Sequence, residues 1–195
     1  MNYNSNIGKT NSNLPSNAKK VFGGILFDVY HWQQKMFDGS FKTFEAIKRI
    51  DTVQIIVITK NKTIIMLKEE QPYVGSFLSI PGGQIERNQT PEQAVNVELL
   101  EEIGGQSNNI KLWKKIPFGS KIHWDSYYYI AKNIQIISKP NPEIGEKIES
   151  YEVSFEQFLE ETQKKDFRNK MLSDMIFRII HTEGELEKFK QLLFN

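Results

Sequence analysis

The sequence predicts a mixed β-sheet with helices packed on its faces, an α/β fold in the α+β arrangement. Three observations lead to this prediction. Short β-rich runs separated by turn residues begin at Val21, one well-capped helix follows them, and the segment after Phe155 carries apolar residues at helical spacing. Because strands and helices do not alternate regularly, a doubly wound parallel sheet is excluded.

The strands are predicted from runs of β-branched and aromatic residues that end at turn signals. Asp38-Gly39 and Asn61-Lys62 each mark a turn between two such runs, and Pro81-Gly82-Gly83 ends another. The predicted strands are Val21–Tyr30, Phe41–Arg49, Val53–Thr59, Thr63–Leu67, Phe77–Ile80, Lys111–Ile116 and Trp124–Ile130. The predicted C-terminal helices are Phe155–Thr162, Phe167–Ile180 and Glu185–Leu193.

Length and composition bound what the chain can be. Its 195 residues fit one domain with an extension, so we assign residues 1–20, rich in Asn and Ser, to a flexible N-terminal tail and residues 21–195 to the domain. A net charge of +1 supplies no field to gather nucleic acid, and no nucleic-acid partner is expected. The absence of cysteine excludes disulfides and a cysteine nucleophile. With no apolar run long enough for a membrane span and no secretory signal, we expect a cytoplasmic protein without a membrane partner.

The segment Gly82–Gly105 carries the candidate chemistry, and the helix within it is clearly bounded. Thr90 is a favourable N-cap, Pro91 occupies the first helical position, and Gln93 completes a capping box. Gly104 is the expected C-terminal stop.

Three carboxylates, Glu98, Glu101 and Glu102, share one face of this helix because they stand at i, i+3 and i+4. The adjoining face is apolar and would pack on the sheet through Val95, Leu99 and Ile103. Clustered carboxylates repel one another, but a divalent cation such as Mg²⁺ would convert that repulsion into binding. A Gly-Gly turn just before the helix would let backbone carbonyls approach the same ion. On spacing alone, a solvated acidic face is the commoner outcome for such a run, and it stays open as an alternative.

The same segment resembles the Nudix box, in which Gly, five residues, Glu, seven residues and Arg-Glu are followed by an aliphatic residue, one residue, Glu-Glu, one residue, Gly and an aliphatic residue. The positions that match in register are Gly83, Glu98, Leu99, Glu101, Glu102 and Gly104. Five Gly and Glu matches at about 7% each occur by chance on the order of once in 10⁶ windows. The segments 69–83 and 37–53 are similar to the ADP-ribose and sugar-nucleotide pyrophosphatase branch of the Nudix hydrolases.

The resemblance implies a Nudix-type α/β/α sandwich with a mixed β-sheet, and Mg²⁺-dependent (or Mn²⁺-dependent) hydrolysis of a nucleoside diphosphate linked to another moiety. It implies that Glu98, Glu101, Glu102 and the Gly82 carbonyl hold the metal, with Glu101 and Glu102 central to catalysis. Gly83 and Arg49 are the candidate substrate-binding residues, although Arg49 could instead pair with Asp51. A homodimer is possible, and the expected partner is a small-molecule nucleotide.

That branch often takes its general base from a Glu in a late loop before the last strand. The loop Asn141–Glu149 offers Glu143, Glu146 and Glu149. Glu146 is the preferred candidate, since the sequence that follows it resembles the run into that strand. A solvated loop carboxylate without a catalytic role is an equally open alternative.

Three positions depart from the box pattern. Gln89 replaces its first Glu, Val97 replaces its Arg, and Gly105 replaces its final aliphatic residue. An Arg at position 97 could donate to Glu101, one turn later, and hold the rotamers of the carboxylates. We therefore expect weakened catalysis, and the alternative is a non-catalytic Nudix-fold module that binds a nucleotide.

Aromatic residues near the start of the domain could stack on an adenine base. The candidates are Tyr30, Trp32 and Phe37. Roles in the core or in a dimer contact are equally compatible with their positions.

Overall fold

The computed structural model describes residues 14–195, which form one nine-stranded sheet, one two-stranded sheet and four helices. The strands are β1 (Lys19–Gly23), β2 (Phe27–Lys35), β3 (Phe41–Arg49), β4 (Thr52–Ile58), β5 (Ile64–Gln71), β6 (Gly75–Ser79), β7 (Gly105–Gln106), β8 (Asn109–Phe118), β9 (Ile122–Lys132), β10 (Gln135–Ile136) and β11 (Lys147–Val153). The helices are α1 (Pro91–Ile103), α2 (Phe155–Glu161), α3 (Lys170–Ile180) and α4 (Glu185–Phe194).

The large sheet is mixed, as the sequence predicts. Its strand order is β1-β2-β3-β9-β4-β5-β11, with β6 added beside β5 and β8 beside β9. Strand β9 runs parallel to both β3 and β4, and the remaining pairs are antiparallel. The parallel pairing of β4 with β9 aligns Thr52 with Ser126 and Ile58 with Lys132. This central pairing places the start of β4 next to the segment that leads into α1.

Both faces of the central sheet are covered, so the fold is an α/β/α sandwich. On one face, alternate residues of β4 (Val53, Ile55, Val57) pack with the apolar side of α1. On the other face, Ile56 and Ile58 pack with the residues of α2, α3 and α4. Because β4 is buried on both sides, it reads as a near-continuous apolar run.

Helix α1 forms as its sequence predicts. The Thr90 side chain accepts a hydrogen bond from the Gln93 backbone N–H, the Gln93 side chain accepts from the Thr90 N–H, and Pro91 opens the first turn. The helix ends at Gly104, which has a φ of 64°. A Cβ there would lie 2.1 Å from the Ser138 carbonyl oxygen, so glycine is required both by its conformation and by the close approach of that segment.

Several predicted boundaries are corrected by the structure. The predicted strand Val21–Tyr30 is two strands, because the chain turns at Gly24, whose N–H donates to the Phe27 carbonyl. Strand β11 is absent from the predicted list, and α3 begins at Lys170, after its N-cap Asn169, rather than at Phe167. These differences arise because tertiary pairing overrides local propensity at element ends.

The division into tail and domain remains a prediction. Residues 1–13 of the predicted tail lie outside the described residues, while Lys19 and Lys20 pair with β2 in strand β1. Across residues 14–195, no helix combines the length and the apolar character needed to cross a membrane.

The packing of α1 gives a direct test of its orientation. Leu99 is 0% exposed and contacts the sheet, whereas the next residue, Leu100, is 44% exposed. We expect Leu99→Ala to lower the free energy of unfolding by about 2–5 kcal/mol, because it leaves a cavity against the sheet. The matched variant Leu100→Ala should cost less than about 1 kcal/mol. Urea denaturation followed by circular dichroism measures both, and equal losses would contradict the assigned buried face.

Candidate active site

A polar cleft of about 950 Å³ opens between α1 and the ends of several strands. Its walls are the acidic face of α1, the Gly-Gly turn, the ends of β5 and β6, the loop 141–146 and the connection between α2 and α3. The loop is tied to the helix, since the Asn141 N–H donates to the Glu101 carbonyl at 2.7 Å. Strands β3, β4 and β9 also contribute lining residues, so the cleft brings together residues that lie far apart in the sequence.

The three predicted carboxylates of α1 all line this cleft. Glu102 is only 6% exposed, and its Oε2 accepts a hydrogen bond from the Gly82 N–H at 2.9 Å. Burial, followed by repulsion from Glu101, raises the pKa of Glu98 to about 8. Burial, followed by repulsion from Glu98, raises the pKa of Glu102 well above its usual value. The carboxylates are thus not the solvated face that spacing alone favours.

The Gly-Gly turn is built to let α1 approach the sheet. The carbonyls of Pro81 and Gly83 accept hydrogen bonds from the N–H groups of Ile55 and Val53 on β4, at 2.7 and 2.9 Å. Gly82 between them has a φ of 153° and directs its N–H toward Glu102. A Cβ on Gly83 would lie 2.1 Å from Oε1 of Glu98. Both glycines are therefore needed for the carboxylates to pack against the turn.

A fourth carboxylate in the cleft, Glu69, was missed by the sequence reasoning. It lies in β5, is 7% exposed and accepts a hydrogen bond from the Ser79 hydroxyl. Burial is the main cause that raises the pKa of Glu69. The signal was present: if the predicted strand that ends at Leu67 is extended by two residues, the two-residue period of a strand puts Glu69 on the same face as Leu67.

The structure separates the three candidates for the general base. Glu143 and Glu146 line the cleft, whereas Glu149 is an exposed residue of β11 outside it. Oε1 of Glu146 accepts a hydrogen bond from Nε2 of Gln71 at 2.8 Å. Burial, then repulsion from Glu143, raises the pKa of Glu146.

Positive charge in the cleft comes from Arg49, Arg168 and Lys170. The Arg49 guanidinium lies 4.9 Å from the centre of the Trp124 ring, which stacks on Phe118 at 3.8 Å. Burial, then repulsion from Arg168, lowers the pKa of Arg49. Asp51, the alternative partner of Arg49, accepts a hydrogen bond from the Asp125 N–H instead. Arg168 lies in a connection between helices, where the sequence offered no motif to indicate it.

The aromatic residues proposed to stack on adenine do not line the cleft. Trp32 is buried against Phe44, and Phe37 is 112% exposed at the turn between β2 and β3. Tyr30 lies in β2, away from the cleft-lining residues. The aromatic side chains that do line it are Phe77, Trp124 and Tyr128. The three proposed aromatic residues therefore lie outside the cleft, Tyr30 and Trp32 on β2 and Phe37 in the turn that follows it.

Two of the three replaced box residues, Gln89 and Val97, also line the cleft. Oε1 of Gln89 accepts a hydrogen bond from the Glu86 N–H at 3.0 Å, so this side chain closes the turn before α1. Val97 is half-buried on α1, one turn before Glu101. Neither side chain can supply the ion pair that an arginine at position 97 would make.

The carboxylate oxygens of α1 are suitable ligands for a hard divalent cation, although they do not converge on one point. In residues 14–195, no group of three or more His, Cys, Asp or Glu side chains converges closely enough to form a ready-made metal site. Half-buried Glu98 and buried Glu102 nonetheless have raised pKa values, and carboxylate oxygens are the ligands that Mg²⁺ prefers. A bound cation would supply the positive charge that balances these carboxylates.

Comparison with known proteins identifies the family. The NUDIX domain model matches residues 48–175. The chain is 24% identical over 153 residues to the ADP-ribose pyrophosphatase of Bacillus subtilis (strain 168). This match covers 76% of this chain and 82% of that protein. It is 36% identical over 66 residues to the 8-oxo-dGTP diphosphatase of Escherichia coli (strain K12), a match that spans 34% of this chain and 51% of that relative.

A solved structure supports the fold. The crystal structure of an ADP compounds hydrolase superposes with a TM-score of 0.68 at 19% sequence identity, over 83% of this chain and 89% of that one. Since the domain match covers more than half of the sequence, the chain belongs to the NUDIX hydrolase family.

Proposed function

We propose that this protein hydrolyses the diphosphate bond of a nucleoside diphosphate linked to a sugar, such as ADP-ribose or a sugar nucleotide, with Mg²⁺ or Mn²⁺ bound at α1. The observation that carries the proposal is the pair of carboxylates with raised pKa values, half-buried Glu98 and buried Glu102, in a polar cleft that also contains the cation Arg49. A diphosphate substrate and a divalent cation together complement both signs of charge. Catalysis would be weakened, because Val97 cannot support the carboxylates.

The residues that would hold the metal are Glu98, Glu101 and Glu102, with the Gly82 carbonyl as a further oxygen donor. When bound, a divalent cation neutralises charge on the diphosphate and lowers the pKa of a bound water. The protein's own contribution is to hold Glu98 and Glu102 partly out of water, where their charged forms are costly and a bound cation would offset that cost. The Gly82 N–H limits the orientations of Glu102 by its hydrogen bond.

Glu146 is the proposed general base, which would take a proton from the attacking water. Its burial and the neighbouring Glu143 raise its pKa, which favours proton acceptance near neutral pH. Arg49, held over Trp124, would contact a phosphate oxygen, and the Gly83 backbone would lie beside the bound diphosphate.

The preference for a sugar-linked diphosphate rests on the extent of the similarities. The match to the ADP-ribose pyrophosphatase spans 82% of that relative, whereas the match to the Escherichia coli 8-oxo-dGTP diphosphatase spans 51% of its length. The shorter match therefore leaves about half of that relative unmatched, whereas the longer one includes strands before and after the box segment.

A second candidate function is a non-catalytic nucleotide-binding module. Val97 and Gln89 favour it, because they remove the arginine and the first glutamate of the box while the cleft is kept. Retention of Glu98, Glu101 and Glu102 favours the enzyme.

Two further proposals concern location and assembly. We propose a cytoplasmic location, which the absence of cysteine fits. We also propose a homodimer, for which the exposed apolar residues Phe22, Ile25 and Phe41 of the β1–β3 region offer a surface.

Hydrolysis is tested by a screen of ADP-ribose, sugar nucleotides and 8-oxo-dGTP with Mg²⁺ or Mn²⁺, with release of a phosphomonoester as the readout. We expect turnover of ADP-ribose or a sugar nucleotide, and its loss in Glu102→Gln. Burial disfavours the charged form of Glu102, so the uncharged amide should fold at least as well as the acid. Glu149→Gln, an exposed change outside the cleft, is the control. Unchanged turnover in folded Glu102→Gln would remove Glu102 from the mechanism.

Metal binding is tested separately by calorimetric titration of Mg²⁺ and Mn²⁺ without substrate. We expect the heat of binding to disappear in the double variant Glu101→Gln/Glu102→Gln and to persist in Glu149→Gln. Equal heats in the double variant and the wild type would contradict a metal site on α1.

The raised pKa values also predict how the metal affinity measured in this titration changes with pH. Glu98, with a pKa of about 8, is mostly protonated in the metal-free protein near pH 7 and must lose its proton to bind a cation. Affinity should therefore rise as the pH increases toward 8, with protons released on binding. Heats measured in buffers of different ionisation enthalpy report the released protons, and a pH-independent affinity would contradict the raised pKa.

Restoring the arginine distinguishes the enzyme from the module. Val97→Arg places a guanidinium one turn before Glu101, where it could hold the ligand geometry. We expect hydrolysis to rise, within the roughly 10–100-fold range of such supporting contacts. Thermal melting is the control for overpacking, since Val97 is half-buried. A stable Val97→Arg protein that gains no activity would favour the non-catalytic module.

A further inference from the structure

A chain of two side-chain hydrogen bonds links Arg168 to Glu146 through Gln71. Nη1 of Arg168 donates to Oε1 of Gln71 at 2.8 Å, and Nε2 of Gln71 donates to Oε1 of Glu146, also at 2.8 Å. The three residues come from the connection between α2 and α3, from the end of β5 and from the loop before β11. All three line the cleft. We call this chain the Arg168–Gln71–Glu146 relay.

The chemistry of the side chains fixes the direction of the relay. A guanidinium can only donate hydrogen bonds, so the amide oxygen of Gln71 must face Arg168. The amide nitrogen of Gln71 then faces Glu146, and because an NH₂ group can only donate, Oε1 of Glu146 must accept. A proton taken up by Glu146 is thereby directed to its other oxygen, Oε2.

Arg168 is held in place by contacts with β6 that do not involve Gln71 or Glu146. Its backbone N–H donates to the Leu78 carbonyl at 2.8 Å, and the Leu78 N–H donates to the Asp166 carbonyl at 3.0 Å. Its guanidinium lies 4.5 Å from the centre of the Phe77 ring. The Arg168 end of the relay is therefore fixed to β6, whereas Glu146 lies in the loop before β11.

The charges around Glu146 explain why such a support is needed. Acidic groups face it from its own loop (Glu143), from α1 (Glu98, Glu101 and Glu102) and from β5 (Glu69). Burial, Glu143 and Glu101 raise the pKa of Glu146, whereas the Gln71 hydrogen bond and the Arg168 charge lower it. Without the relay, repulsion would favour rotation of the Glu146 side chain away from the α1 carboxylates.

We propose that Gln71 and Arg168 are positioning residues that hold Glu146 with Oε2 free to accept a proton from the attacking water. The inference rests on the proposed function, in which Glu146 is the general base. It differs from a direct role of Arg168 at a substrate phosphate, which the same cleft would also permit. The two roles predict different kinetics.

The kinetic experiment uses Gln71→Leu, Arg168→Gln and the double variant, with ADP-ribose and Mg²⁺ or with the best substrate of the screen. Arg178→Gln is the matched control, because Arg178 pairs with Asp174 on the exposed side of α3. We expect kcat to fall about 10-fold or more in each variant, a share of the roughly 10²–10⁴-fold supplied by a general base. KM should stay within about twofold, since substrate contacts are retained.

Two further kinetic signatures separate positioning from a structural effect. The acid limb of the kcat–pH profile should move to higher pH in Gln71→Leu and in Arg168→Gln. Each variant loses a group that lowers the pKa of Glu146. The double variant should be no slower than Gln71→Leu alone, because both residues act through one relay. Arg168→Lys, which keeps a charged donor, should recover part of the activity. A raised KM with kcat retained in Arg168→Gln, or additive losses in the double variant, would overturn the proposal.

A measurement without metal or turnover keeps the inference separate from the proposed function. Carboxyl-labelled glutamate is followed by NMR during a pH titration, and the Glu146 signal is assigned by its loss in Glu146→Gln. We expect the pKa of Glu146 to rise in Gln71→Leu and Arg168→Gln but not in Arg178→Gln. An unchanged pKa in folded variants would overturn the relay. If this rise is present but no substrate is hydrolysed, the relay is supported and the proposed function is the part that fails.

Discussion

Glu98 and Glu102 are held close together in a cleft that water only partly reaches, and the repulsion between these carboxylates is the constraint around which the site is built. Burial is the largest cost of ionising both groups; repulsion from Glu101 adds to it for Glu98, and repulsion from Glu98 adds to it for Glu102. The Gly82 N–H offsets part of it by donating to Glu102. Keeping two such groups partly out of water on one face of α1 has an electrostatic cost, which a bound divalent cation would offset.

The geometry of the Gly-Gly turn makes this arrangement possible. Pro81 and Gly83 are fixed to β4 by backbone hydrogen bonds, so the turn cannot move away from α1. Any side chain at position 83 would occupy the space of the Glu98 carboxylate. The apolar side of α1, with Leu99 at its centre, then fixes the helix against the same strands. One helix therefore contributes both to the core and to the acidic wall, and its packing determines where its carboxylates lie.

The opposite wall shows how charge is balanced across the cleft. Arg49 is supported by an aromatic ring, and Arg168 by a backbone connection to β6. The loop of Glu146 is anchored to the last turn of α1 by Asn141, so the acidic wall and the proposed base are mechanically linked. In a family defined by the box on α1, these supports come from strands and loops outside the box.

Much of this protein was determined by local sequence. The two ends of α1 are set by Thr90, Gln93 and Gly104. They do not depend on the surroundings of the helix, because capping and a left-handed stop are short-range effects. The i, i+3 and i+4 spacing of Glu98, Glu101 and Glu102 places them on one face for the same reason. Tertiary structure alone decided that this face is buried, that Glu69 joins it from β5, and that Arg168 reaches Glu146 through Gln71. Those contacts join residues 75 and 97 positions apart, and only the pairing of β5 with its neighbours and the docking of Arg168 on β6 bring them together.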